Sequence, residues 1–98
     1  MSAKFQRLAD VDRLIHEPAR LMIVAVLDSV EEADFQYLHL TTGLTKGNLS
    51  VHLSKLEEAG YIAISKTFRG KYPLTLCRLT DTGAQKLAEY RRLLKVAL

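Results

Sequence analysis

The apolar repeat changes period at Gly60, and that change restricts the fold more than any other feature of the chain. Before it, Leu44, Leu49, Leu53 and Leu56 recur at the spacing of one helix face. After it, "YIAISKTF" and "LTLCRLT" alternate. Ile62 and Ile64 point one way and Ala63 and Ser65 the other; Leu74, Leu76 and Arg78 oppose Thr75, Cys77 and Leu79. A period of two belongs to half-buried strands. "RGKYP" between the two runs reads as a hairpin loop, with Pro73 in the loop or at an edge position, where its missing N–H is harmless. Thr80 or Asp81 can cap a last helix over 82–97, with Ala84, Leu87, Ala88, Leu94 and Leu98 near one side.

Upstream of Gly60 the pattern is helical. "ADVDRLIHEP" predicts a short helical segment ending before Pro18. Pro18 then suits the first turn of a helix over 18–29, where a missing N–H costs nothing. Leu21, Ile23, Val24, Val26 and Leu27 cover most of that helix, so it belongs in the core or at a subunit interface. The acidic "DSVEEAD" reads as a loop. A short helix from Phe35 stops at Gly43, and Thr45 is a good N-cap for a helix over 46–59 that ends at Gly60. Two helices across a tight glycine-containing turn have the composition of a helix-turn-helix. The expected class is mostly α with a small β-hairpin, α+β.

With 98 residues, a single domain over 1–98 is the expectation. The net charge is only +3, but it is segregated. Asp28, Glu31, Glu32 and Asp34 crowd 28–34 with no base, a net of −4. Residues 45–78 hold six cations against Glu57 and Glu58, a net of +4, which can create a positive face. One cysteine excludes an internal disulfide and fits a reducing compartment. No apolar h-region opens the chain and no run is long enough to span a bilayer, so a cytoplasmic protein without membrane contact is expected. The carboxylates do not converge and no phosphate loop, HExxH or GxSxG occurs, which argues against an enzyme. No cofactor is implied. His16, His39 and His52 lie on different elements, without the spacing of metal ligands. His52 is expected to pack or to contact phosphate, and Cys77 to be a small buried hydrophobe.

The helix over 46–59 has an unusual polar side. Stepping about 100° per residue from Leu49, Asn48, Val51 and Lys55 fall opposite the leucines, beside Ser54. An exposed valine there has no packing reason, but in a major groove it can meet a thymine methyl. Asn48 can pair with the N6/N7 edge of adenine; Lys46 and Lys55 suit phosphate or guanine; Ser50 and Ser54 can donate to phosphate or base. "KTFRGKYP" gathers Lys66, Arg69 and Lys71 around a glycine, a loop able to follow a phosphate backbone or enter a minor groove. Phe68 and Tyr72 in the same loop are expected to pack on the sheet.

"IHEPARLMIVAVL" (15–27), "GNLSVHLSKLEEAGY" (47–61) and "RLTDTG" (78–83), in that order over nearly the whole chain, resemble winged-helix transcriptional regulators. The resemblance is to the short single-domain members of the multiple-antibiotic-resistance and arsenic-repressor superfamily. It implies a recognition helix over 46–59, a wing around 68–73, and a homodimer paired through its terminal helices. It further implies double-stranded DNA as partner and a repressor acting at an inverted-repeat operator, with DNA contacts at Thr45, Lys46, Asn48, Ser50, Val51, Ser54, Lys55, Lys66, Arg69 and Lys71. The paired cysteines or acid–histidine clusters of metal-sensing relatives are missing, and no small-molecule effector can be named. A winged helix can instead serve as a protein-interaction or RNA-binding module.

Overall fold

The computed structural model describes residues 2–98. A short helix α1 (Ser2–Gln6) runs into a 3-10 turn (Arg7–Asp10). Then follow α2 (Pro18–Asp28), β1 (Ala33–Asp34), α3 (Phe35–Thr42), α4 (Lys46–Glu58), β2 (Ile62–Arg69), β3 (Tyr72–Leu79) and α5 (Asp81–Ala97). This is a winged helix: a helical body carrying a small antiparallel sheet.

From α2 onward, every helix starts on a side-chain oxygen that takes an otherwise orphaned N–H. The Glu17 carboxylate accepts from Arg20, Asp34 from Tyr37, Thr45 from Asn48 and Thr80 from Gly83. The Arg20 N–H holds the Glu17 carboxyl below its usual range. Pro18 occupies the first turn of α2, as its fixed φ favours. Gly43 closes α3 at φ +74° and Gly60 follows α4 at φ +79°, left-handed positions that cost other residues strain.

The core joins Ile23, Val24 and Leu27 of α2, Leu38 of α3, Leu49, Leu53 and Leu56 of α4, Ile62 and Cys77 of the sheet, and Leu87 of α5. Cys77 is a buried hydrophobe as expected. Burial pushes its thiol up to about 11, with the Glu57 and Asp34 carboxylates adding to the shift. The Tyr61 hydroxyl donates to Asp12 at 2.5 Å, and burial with that hydrogen bond raises its pKa.

Several expectations are corrected here. The acidic 28–34 segment is not all loop: Ala33 and Asp34 pair with Cys77 and Leu76, so the hairpin becomes a three-stranded sheet in the order β1-β3-β2. Residues 9–17 form no α-helix; after the 3-10 turn the Asp12 carboxylate accepts from the Leu14 and Ile15 N–H groups and folds the chain into turns. Leu44 lies in the turn before α4, half-buried, rather than in that helix's stripe. Of its two expected places, helix α2 takes the core: Ile23, Val24 and Leu27 are buried, Leu21 and Val26 half-buried, and Met22 is the large apolar residue left exposed. The hairpin strands run further than expected, leaving only Gly70 and Lys71 as the loop.

Candidate nucleic-acid interface

Three faces of α4 have different neighbours. Leu49, Leu53 and Leu56 are buried. On one flank, Ser50, Ser54 and Glu57 line a cleft whose other walls are Phe35 of α3, Ile64 and Lys66 of β2 and Thr75 of β3. On the other flank, half-buried His52 accepts through Nδ1 from the Arg20 guanidinium at 3.1 Å. Between them Asn48, Val51 and Lys55 face outward, all exposed, Val51 by 53%. The turn before the helix is tied down at several points. Thr45 Oγ1 accepts from the Asn48 N–H at 3.1 Å, Thr42 Oγ1 donates to the Leu38 carbonyl, and His39 Nδ1 donates to the Leu44 carbonyl at 2.7 Å.

Arg20 is a positioning residue that sequence reading missed. Its Nε donates to the Leu14 carbonyl at 2.6 Å while its guanidinium reaches His52, so α2 and the 11–17 turn together brace α4. An arginine can only donate, so this contact needs His52 Nδ1 free of a proton. His52 is therefore a bracing residue in this structure. No local signal joins two side chains 32 positions apart.

The wing follows from strand register. Lys66 pairs with Thr75 on the sheet face that turns toward α4, the face of Ile62, Ile64, Cys77 and Leu79. Arg69 pairs with Tyr72, one step out of phase, and so lies on the opposite face. Thus Lys66 joins the α4 cleft, while Arg69 and Lys71 sit at the tip, away from it. Gly70 has φ +62° and Lys71 does not share that sign, the pattern of a two-residue type II′ turn. Phe68 and Tyr72 do not pack on the sheet: they are 69% and 78% exposed, because the body ends before the strands do. Their place in the alternating strand pattern was readable; where the core stops beneath them was not.

Among the described residues the ion pairs are Lys86–Glu89 and Arg91–Asp28. Lys46, Lys55, Lys66, Arg69 and Lys71 are exposed and join neither. Those five cations are spread over α4 and the hairpin, with Glu57 beside Lys66 in the α4 cleft and Glu32 near the base of the hairpin. No group of three His, Cys, Asp or Glu among the described residues is placed to hold a metal ion, and no described helix is long and apolar enough to cross a membrane.

This arrangement of a braced, exposed helix beside a cationic hairpin has relatives. The chain belongs to the winged helix DNA-binding domain family, whose model matches residues 19–98. It is 32% identical over 78 residues to the uncharacterized protein MJ0432 of Methanocaldococcus jannaschii, covering 80% of this chain and 85% of that one. A transcriptional regulator homologue from Pyrococcus horikoshii OT3 superposes with a TM-score of 0.86 at 27% identity, over 92% of this chain and 91% of that one. The transcriptional repressor CouR, solved bound to a 23-mer DNA duplex, shares the fold with a TM-score of 0.76 at 22% identity, over 97% of this chain and 67% of that one.

Proposed function

We propose that this chain, acting as one winged-helix unit over 1–98, is a cytoplasmic transcriptional regulator that reads duplex DNA as a two-fold homodimer and represses by occupying an inverted repeat. The observation that carries the reading is the outward face of α4: an amide, a valine and a lysine, exposed together, on a helix braced through His52 on one flank and capped by Thr45 at its start. A face of that chemistry suits a major groove better than water. The family membership supports DNA as the partner, and the repressor CouR on its duplex supports the mode of action. Asn48 and Val51 read bases. Lys46, Lys55 and the wing cations Lys66, Arg69 and Lys71 hold phosphates, with Thr45, Ser50 and Ser54 as hydroxyl donors beside them. Selection of bound sequences from a random duplex pool tests this: a recovered two-fold symmetric consensus supports it, and recovery of unenriched DNA would remove sequence reading.

Asn48→Ala should relax base preference at one position per half-site, by about 1–3 kcal/mol, in competition binding against single-base variants. A uniform loss over all sequences would reassign Asn48 to the backbone or to folding. Its side chain makes no hydrogen bond within the described residues, so fold stability should be unchanged.

The dimer reading rests on apolar surface where the chain ends meet. Phe5 and Leu98 are 59% and 81% exposed. Leu98 and Leu94 line an open apolar groove with Leu8, Val11 and His16. Contiguous apolar surface of this kind usually has a partner, and two-fold pairing is the commonest closed solution. It would set two α4 helices about 34 Å apart on one face of the duplex. Deleting 93–98 would be a poor test, since Ala97 is buried and Leu94 packs against the core. Leu98→Glu leaves the core intact and should raise the dimer dissociation constant by about tenfold or more, since one apolar contact per protomer becomes a buried charge. Sedimentation reads the dimer directly. An unchanged sedimentation coefficient with unchanged DNA affinity would move the interface elsewhere.

A further inference from the structure

The wing tip carries two large aromatic rings that the fold does not use. Phe68 and Tyr72 are 69% and 78% exposed, at the ends of β2 and β3. Register sets them on opposite faces of the ribbon, Phe68 beside Pro73 and Tyr72 beside Arg69. Only Gly70 and Lys71 lie beyond them. From Ser65 outward β2 is exposed throughout, so the rings project with the ribbon and have no body to pack on. A soluble protein rarely leaves two aromatics stripped of packing at one tip without a use for them. Their surroundings identify the use: Lys66, Arg69 and Lys71 are exposed, without an acidic partner among the described residues. An apolar pair with cations on both faces of the ribbon suits a polyanion that also offers flat apolar faces. Stacked bases behind a phosphate backbone are that ligand.

We propose that Phe68 and Tyr72 act as a wedge: the wing tip enters the minor groove, its cations hold the flanking phosphates, and an aromatic ring partly unstacks one base step and bends the duplex. Apolar side chains inserted in this way trade unstacking for a kink that wraps more of the protein. The two-residue loop keeps the tip narrow, and Gly70 at φ +62° allows that turn. Insertion favours flexible pyrimidine–purine steps, so the wing would add sequence preference at positions α4 never touches. The inference rests on DNA being the partner.

The test uses the full chain and a linear duplex recovered from the random pool, with 2-aminopurine at successive steps and a donor–acceptor pair at its ends. The expected result is a rise in 2-aminopurine fluorescence at one step per half-site and a shortened end-to-end distance. Phe68→Ala with Tyr72→Ala should remove both signals and weaken binding by about a hundredfold, the scale of one lost base–aromatic contact in each half-site. Phe68→Leu should retain part of each, since leucine is also an effective wedge. Arg69→Gln with Lys71→Gln should weaken binding while keeping the fluorescence rise in the saturated complex. Tight binding by the wild type with no fluorescence rise and no bend overturns the wedge and leaves DNA reading intact. Failure to bind duplexes of any sequence at low salt overturns both.

Discussion

Gly83→Ala is expected to destabilise the fold by about 3 kcal/mol, a loss of about 15 °C in melting temperature for a chain of this size. A methyl there would collide with the Tyr61 carbonyl oxygen and stand 2.8 Å from a methyl of Leu79. The first obstacle is backbone and cannot rotate aside. It is also in use: the Tyr61 carbonyl accepts from the Thr80 N–H at 3.0 Å, and Thr80 Oγ1 accepts from the Gly83 N–H at 3.0 Å. Making room would push the start of α5 off the segment that follows α4, breaking both the cap and the link. Gly47→Ala is the matching control. Nothing lies within 4 Å of a methyl at Gly47, on the exposed start of α4, so the same change should be neutral or stabilising by up to about 1 kcal/mol. Thermal unfolding of the two variants measures both. A Gly83→Ala protein melting within a degree or two of the parent would mean that α5 can slide at little cost.

Charge reversal at Arg69 and Lys71 together should weaken binding to every DNA sequence by about three powers of ten near physiological salt. Each phosphate contact contributes about 0.9 to the slope of log affinity against log salt, and the reversed pair removes about four contacts from a dimer. The slope should therefore flatten by about four units, and the discrimination between sequences should persist. Both side chains are exposed and outside the ion pairs of the described residues, so stability should hold. Titration of one duplex at several salt concentrations gives affinity and slope together. If neither moves, the wing plays no part in binding and the α4 face acts alone.

The parts of the fold that depend on neighbours in sequence were legible in advance. The N-caps Thr45 and Thr80 and the closing glycines Gly43 and Gly60 satisfy backbone groups within three or four residues of themselves, so their effect needs no tertiary context. The same holds for the buried leucine stripe of α4, since helix geometry alone sets which residues share a face. Val51 was identifiable as exposed for that reason. The family motifs added the order of elements and the role of the hairpin as a wing.

Other features depend on contacts between distant segments. Strand β1 has two residues, too few for any periodicity, and exists because the chain passes β3 at Cys77. Phe68 and Tyr72 look like sheet residues by pattern; only the place where the body ends leaves them bare. Arg20 braces His52 across the core, and Gly83 must be glycine because Tyr61 passes over it. By itself, then, the sequence determined α2 to α5, the caps at Thr45 and Thr80, the hairpin and the exposed face of α4, because hydrogen bonds and periodicity within a few residues decide them. The tertiary structure alone decided the third strand, the brace behind the recognition helix, the close approach at Gly83 and the bare aromatic tip, because each depends on which distant atoms meet or fail to meet.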